Sequence, residues 1–349
     1  MGAMTVQTAV ESKTSRAPGN KKAPVASARG AVALTVGLVV SLLAGTAQAL
    51  QSRVNGELGH AASDPYGAAL VSFSSAFLII LVVTIVTPAG RRGASRIPAA
   101  VKSGEVPWWY LTAGVLGGFM IVTQAMTTVV LGLSVYILGL VFGKSVGSLI
   151  VDRFGVGPGG VKYLTGYRVV GTAIIIVAAL VAMAPRFAAT NLAASLPLLL
   201  LFATLSVLAG LGNAIMTAWN AGIGAKAGTP ITPTLTNFAA GTLALIVTVL
   251  IARSISDPGP WVWPGQWWLY AGGILGIIHV AASSVLPKHF GVLETSLGMV
   301  AGMLISALVL DVVVPTPNTI VTPVTVLGTL VTLVGLVVVT LPWKPRQRN

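Results

Sequence analysis

Charged side chains are rare in the long apolar runs of this chain, so those that occur there are candidates for binding chemistry. Lys144 lies near the middle of one run, where insertion scales set the cost of a central Lys at about 2.5 to 3.5 kcal/mol. Such a cation is expected to face a wet cavity and to bind a partner such as an anionic substrate. The alternative is that Lys144 extends along its alkyl stem to the membrane surface, about two turns away near Asp152.

Four further side chains could bind a proton or a polar substrate. Glu294 and His279 change charge when they are desolvated, and Gln124 and Tyr136 could add hydrogen bonds. We expect Lys144 and Glu294 to face one cavity and to bind substrate or a coupling proton in turn. Glu294 could equally be a first-turn acid stabilised by the helix dipole. His279 could equally be a buried imidazole that hydrogen-bonds across helices.

Two stretches of the chain, 44–59 and 209–224, are copies of each other at an offset of 165 residues. Intervals of three and four residues place their small and polar side chains on one helix face. The two sets are Ser41, Gly45, Gln48, Ser52 and Asn55, and Ser206, Gly210, Asn213, Thr217 and Asn220. We predict that Gln48 and Asn213 line a cavity, the alternative being interhelical bonds of typically ~0.6 kcal/mol.

The composition indicates a protein of the lipid bilayer, with 55% hydrophobic and only 8% charged residues. Ten apolar runs are long enough to cross a hydrocarbon core of about 30 Å as helices. We predict spans at 31–52, 66–87, 108–130, 133–151, 163–184, 196–219, 232–252, 267–287, 292–313 and 322–342. The sequence therefore predicts an all-α integral membrane protein with ten transmembrane helices.

Lysine and arginine are distributed unevenly over the predicted loops. With the N-terminus inside, the outer loops hold only Arg53, Arg186 and Arg253 of the 21 basic residues. Because cytoplasmic loops carry the excess of Lys and Arg, both termini are predicted to be cytoplasmic.

A second set of matches continues the repeat at an offset of 159. Trp108, Gly139, Gly143 and Asp152 match Trp267, Gly298, Gly302 and Asp311. Ten spans in two repeats give five spans per half, and an odd number inverts the second half relative to the first. The sequence thus predicts two inverted-topology five-helix repeats, which is typical of alternating-access carriers.

The predicted repeats set the domain boundaries. Residues 1–28 form a disordered cytoplasmic tail, 29–187 the first repeat, 188–343 the second repeat, and 344–349 a cytoplasmic C-terminal tail. A rival interpretation takes the basic tail and the run up to Ala49 as a signal peptide.

Three motifs carry a resemblance to a known family. GTAQALQSRVNGELG at 45–59, the Pro65 to Phe73 stretch, and GKSVGSLIVDRFG at 143–155 resemble the YdcZ-like branch of the drug/metabolite transporter superfamily. The resemblance implies ten helices, a central cavity built from both halves, and export of small molecules across the bacterial inner membrane. The chain departs from the family at Lys144, where the family tends to have Gln, and the second half has Met303.

Several function classes are disfavoured. No HExxH or GxSxG motif occurs, and GLVFGKS at 139–145 has the wrong glycine spacing for a phosphate-binding loop, so we predict no enzyme. No cofactor or metal site is predicted, and zero cysteines exclude thiolate ligands. The net charge of +13 lies in tails and loops rather than on one face, which argues against a nucleic-acid partner.

The prediction is therefore a secondary active exporter of small metabolites or drugs in the inner membrane. Its candidate partners are a small-molecule substrate, the lipid bilayer, a coupling proton and a second copy of the chain. One alternative is a flippase for a lipid-linked or amphipathic anionic substrate, with Lys144 holding a phosphate. The other is a non-transporting scaffold or accessory subunit, in which packing would seal the polar stripes and no cavity would reach either face.

Overall fold

The described part of the chain is helical throughout. The computed structural model describes residues 26–131, 133–163, 165–189, 196–255, 260, 262–314 and 322–340, and no strand occurs among them. Its helices are α1 (Ala26–Ala61), α2 (Pro65–Val86), α3 (Pro88–Lys102), α4 (Ala113–Leu131), α5 (Leu133–Phe154), α6 (Gly166–Ala189), α7 (Leu196–Ala227), α8 (Ile231–Ile255), α9 (Gly272–Val285), α10 (Pro287–Phe290), α11 (Val292–Val313) and α12 (Pro323–Thr340). Residues 1–25 of the predicted N-terminal tail, and the C-terminal tail 344–349, lie outside the described residues.

Eight of the predicted spans each overlap one long helix, whereas 108–130 begins in a 3-10 turn before α4, and 267–287 runs through a 3-10 turn and α9 into α10. Among the described residues, six helices are long and apolar enough to cross a membrane, and two shorter apolar segments lie in α6 and α12. The six are Thr35–Ala61, Pro65–Val86, Leu200–Ala227, Ile231–Ile255, Trp267–Phe290 and Val292–Leu310. The helical membrane architecture is therefore clear, and the count of ten spans stays a prediction.

Large apolar side chains cover the outside of the helix bundle. Leu78, Val82 and Ile85 of α2 each expose 58% of their surface, although water would penalise such exposure. This distribution fits helices whose outer faces contact lipid.

The polar stripe of the second copy is buried, as its spacing predicts. Ser206, Asn213, Thr217 and Asn220 of α7 each expose no more than 1% of their surface. In the first copy, Ser41 and Gln48 of α1 are buried, and Ser52 and Asn55 are partly buried. Both stripes therefore face the protein interior rather than lipid.

Glycines let equivalent helices approach closely in the two halves. A Cβ at Gly143 of α5 would overlap the backbone of Val207 in α7. At the equivalent contact, a Cβ at Gly302 of α11 would overlap the backbone of Leu42 in α1. Small residues at such positions are the usual basis of close helix packing in membranes. Residues that match in the sequence repeat thus make matching contacts in the structure.

Phe73 and Phe238, which match at the offset of 165, contact each other. Their ring centroids lie 5.1 Å apart at an interplanar angle of 68°, and both side chains are buried. Edge-to-face aromatic pairs contribute about 0.5 to 1.5 kcal/mol beyond their buried area.

We expect the Phe73→Ala and Phe238→Ala substitutions to destabilise the protein by about 3 to 5 kcal/mol each, because each leaves a cavity. A double-mutant cycle measured by unfolding in detergent micelles should give a coupling energy of about 1 kcal/mol. Strictly additive effects would contradict a direct interaction between the two rings.

Helix α3 was not predicted, since its sequence lies in an expected cytoplasmic loop rich in arginine. Thr87 caps it by accepting a hydrogen bond from the Gly90 N–H at 3.1 Å, and Pro88 occupies its first position. Ile97 is buried, and the Arg96 guanidinium donates to the Ala227 carbonyl at 3.2 Å. Packing on the end of α7 therefore stabilises a segment whose composition suggests a loop.

Candidate functional site

A small cleft with a cavity volume of about 70 Å³ lies between α1, α4, α5 and α11. Its lining comes from both predicted halves of the chain. The lining residues are Gln48, Ala49, Ser52, Arg53, Met120, Gln124, Tyr136, Ile137, Leu140, Met303, Ala307 and Leu310. They lie in the C-terminal parts of α1 and α11, the middle and C-terminal part of α4, and the N-terminal part of α5. The cleft therefore belongs to one end of the bundle, which we call the cleft end.

The polar groups of the cleft lie on three helices. Gln48 and Ser52 lie one turn apart on α1, and Gln124 faces the cleft from α4. The Tyr136 hydroxyl of α5 donates to the Met120 carbonyl of α4 at 3.1 Å. This bond fixes the Tyr136 ring against α4, so that the ring forms part of the wall.

Arg53 is the cation among the described residues that line the cleft, and these include no Asp or Glu. Its guanidinium pairs with Glu57 one turn later at 2.6 Å and donates to the Val314 carbonyl at 3.3 Å. Apolar walls with a few polar groups and one charge are typical of sites that bind small amphipathic molecules.

Lys144 does not line the cleft but lies beneath it. Leu140 contributes to the cleft, and Lys144 follows one turn later on α5, about 6 Å further from the cleft end. Lys144 exposes only 2% of its surface, so the interpretation that it extends to the membrane surface is wrong for this conformation. Among the described residues, no acidic side chain forms an ion pair with it.

His279 of α9 forms a bond across helices, as the simpler interpretation of this residue expects. Its Nδ1 donates to the Ala44 carbonyl of α1 at 3.2 Å, and the ring is 3% exposed. Its Nε2 is buried without a hydrogen-bond partner. Lys144 is near enough to interact electrostatically with the imidazole.

Asn213 of α7 lies next to the cleft without lining it. Its amide nitrogen donates to the Met120 sulfur at 3.3 Å, and its Oδ1 is buried without a partner. Since Met120 is a lining residue, one side chain separates Asn213 from the cleft.

Glu294 lies at the opposite end of the bundle, in a charge cluster in which Asp152 and Arg168 are buried and Glu294 is partly buried. The Arg168 guanidinium of α6 contacts the Asp152 carboxylate of α5 at 2.5 Å and the Glu294 carboxylate of α11 at 3.2 Å. The Asp152 carboxylate also accepts the backbone N–H groups of Val292 at 2.8 Å and Leu293 at 3.1 Å. Asp152 therefore caps α11 from another helix, and the cluster joins α5, α6 and α11.

The structure brings three of the predicted site residues together in the cleft, namely Gln48, Gln124 and Tyr136. Lys144, Asn213, His279 and Glu294 do not line it, and the expectation that Lys144 and Glu294 face one cavity stays a prediction. Lys144 lies on α5 between the cleft and Asp152, whereas Glu294 begins α11 beside Arg168.

Sequence reasoning missed Arg53 as a lining residue and Arg168 as a partner of Asp152 and Glu294. Arg53 lies five residues after Gln48, about 140° around α1 from it, so the spacing of the polar stripe does not point to it. Arg168 carries no such signal either, since its partners are distant in sequence.

The family comparison bears on what this arrangement does. Residues 36–181 and 201–338 match the model of the family described as "Putative inner membrane exporter, YdcZ". The chain belongs to the YdcZ family. This family member is thus a multi-pass protein of the inner membrane with the architecture of a transporter, and it is not an enzyme. The two matched segments correspond to two tandem YdcZ units. No curated protein matches the chain.

Proposed function

We propose that this YdcZ protein is a secondary active transporter that exports small metabolites or drugs by alternating access. The observation that carries this proposal is the contrast between the two ends of the bundle. One end holds an open cleft, and the other is closed by the charge cluster of Asp152, Arg168 and Glu294. A carrier needs one open and one closed end in each of its two states.

The proposal includes ten spans in two inverted repeats, 29–187 and 188–343. The close contact of Gly143 with Val207 and its equivalent between Gly302 and Leu42 support a two-fold relation between the halves. With both termini cytoplasmic, the cleft opens to the periplasm and the ion cluster lies near the cytoplasm.

The closed end offers a route to proton coupling. Protonation of Glu294 would remove one of the two carboxylates that pair with Arg168. The contact between α6 and α11 would weaken, and the cytoplasmic end could open. In this proposal Glu294 binds the coupling proton, and the cleft binds the substrate.

An open cleft disfavours the scaffold alternative, which predicts polar stripes sealed by packing. Gln48 belongs to one of these stripes and lines a cleft that reaches the surface. A flippase would use the same change of access and would differ from the proposed exporter only in its cargo.

Cysteine labelling tests the change of access, and the natural chain contains no cysteine that would interfere. In cells, a membrane-impermeant maleimide should label the Ser52→Cys variant in the cleft from the periplasm. The Ser148→Cys variant, whose site is fully buried here, should be labelled only from the cytoplasmic side. Adding Glu294→Gln should increase Ser148→Cys labelling and decrease Ser52→Cys labelling.

The matched control is Leu78→Cys on the outer surface of α2, which should resist the water-soluble reagent because lipid covers it. Labelling of both variants from the same side, or no labelling of Ser148→Cys with Glu294→Gln present, would exclude alternating access at these sites.

A further inference from the structure

The residues that line the cleft have counterparts in the other half of the chain, at the offsets of 165 and 159. The counterparts are Asn213, Ala214, Thr217, Ala218, His279, Ser283, Thr295, Ser296, Met299, Lys144, Ser148 and Val151. All of them are buried, and none exposes more than 3% of its surface. The equivalent of an open cleft is thus a closed, packed region.

This closed region is polar where the cleft is largely apolar. Three of its hydroxyl groups bond to carbonyl oxygens of their own helices, two of them being Ser148, which bonds to Lys144 at 2.6 Å, and Thr217, which bonds to Asn213 at 2.8 Å. Ser283 does the same with Val280 at 2.9 Å. These hydroxyls bond within their own helices, so helix separation would leave their bonds intact.

Three polar atoms of the region are buried without a hydrogen-bond partner. They are Asn213 Oδ1, His279 Nε2 and Ser296 Oγ, which come from α7, α9 and α11. Leaving a buried polar atom unpaired costs about 1 to 3 kcal/mol. Their counterparts Gln48, Met120 and Ile137 all line the open cleft.

Lys144 adds a charge, and no acidic side chain in the described part of the chain forms an ion pair with it. Its counterpart is Met303, which lines the cleft, so the cation is a difference between the halves. The acids toward the same end, Asp152 and Glu294, are engaged with Arg168. The His279 imidazole, which interacts electrostatically with Lys144, offers no negative charge.

We propose that these counterparts line a second cleft when the opposite end opens, and that Lys144 there binds an anionic group, a carboxylate or phosphate, of the cargo. The proposal rests on the proposed transport function and names its substrate class. Lys144 supplies up to three donors, and the unpaired atoms of Asn213, His279 and Ser296 become accessible to water or cargo. An ammonium freed from burial favours an anion over a neutral ligand.

The first cleft supports the same cargo chemistry. Arg53 is its cation, and its walls of Ile137, Leu140 and Leu310 suit an apolar body. A cargo with an apolar part and one anionic group would therefore find one cation in each of the two states.

Ligand binding by the full-length chain tests this site. We expect benzoate to raise the unfolding temperature of the Glu294→Gln variant in nanodiscs of zwitterionic lipid, because binding to the folded state stabilises it. Choline, a cation, should not. Adding Lys144→Met should weaken benzoate binding at least about tenfold, since it removes the charge that recognises the anion.

The matched control is Leu78→Met on the outer surface of α2, outside both clefts, which should retain benzoate binding. Lys144→Met should fold, because methionine occupies the equivalent site on α11. No benzoate shift in the Glu294→Gln variant, or an unchanged shift after Lys144→Met, would overturn the anion site. If either result occurred while Ser148→Cys was still labelled from the cytoplasm, it would contradict the anionic cargo but not the transport proposal.

Two sources of the anion can be separated with the same variants. Inorganic phosphate and benzoate should raise the unfolding temperature in zwitterionic nanodiscs. A lipid headgroup should raise it only when anionic phospholipid is included. A Lys144-dependent shift with benzoate supports a soluble cargo. A Lys144-dependent shift seen only with anionic phospholipid would overturn the soluble cargo and favour the flippase.

Discussion

Replacing Arg168 with methionine is expected to destabilise the protein by about 3 to 5 kcal/mol. The substitution leaves the buried Asp152 and the partly buried Glu294 near each other without the cation that pairs with both. Breaking a buried ion pair by removing one partner costs about this much, because the remaining charges stay desolvated. Unfolding of the purified protein in mild detergent, followed by circular dichroism, measures the loss.

Arg53→Met is the matched control, because Arg53 also pairs with one acid but is 25% exposed. Exposed pairs contribute about 0 to 1 kcal/mol, so this variant should stay close to the natural protein. Equal losses in the two variants would mean that the cluster at the closed end has no special stabilising role.

Gly143→Val is expected to prevent correct packing of α5 on α7. Its Cβ would overlap the Val207 carbonyl and approach the Leu211 amide, which are backbone atoms that cannot rotate away. Overpacking commonly costs about 1 to 3 kcal/mol, and a clash with backbone should reach or exceed the upper value. The yield of folded protein after size-exclusion chromatography and its thermal unfolding provide the measurement.

Gly56→Val provides the contrast, because a Cβ there would meet no atom within 4 Å. Valine favours a helix slightly more than glycine does, so the expected change is small and stabilising. A large loss at Gly56, or none at Gly143, would show that close approach of α5 and α7 is not required.

Helix positions and the inward polar stripes could be predicted from sequence because both depend on local patterns. Apolar runs define the helices, and intervals of three and four residues place Asn213 and Thr217 on one buried face. The repeat also aligns Gly143 with Gly302, and the two glycines make equivalent close contacts in the structure. These features need no knowledge of distant partners.

The arrangement of the site could not be predicted in the same way. Equivalent residues such as Lys144 and Met303 have similar sequence surroundings and are both buried, yet only Met303 lines the cleft. Which end is open depends on packing between helices, not on either helix alone. The charge cluster likewise joins Arg168 to Glu294 across 126 positions, a pairing that no local pattern encodes.

The capping of α11 by Asp152 has a consequence for biosynthesis. The ribosome makes the carboxylate well before the amides of Val292 and Leu293 that donate to it. The later helix therefore reaches its final place only by docking on a segment already inserted, so a second unit produced by itself would lack an acceptor for two amides. Because Asp152 is made first and α11 docks on it, the order in which the helices are synthesised also sets the order in which these two assemble.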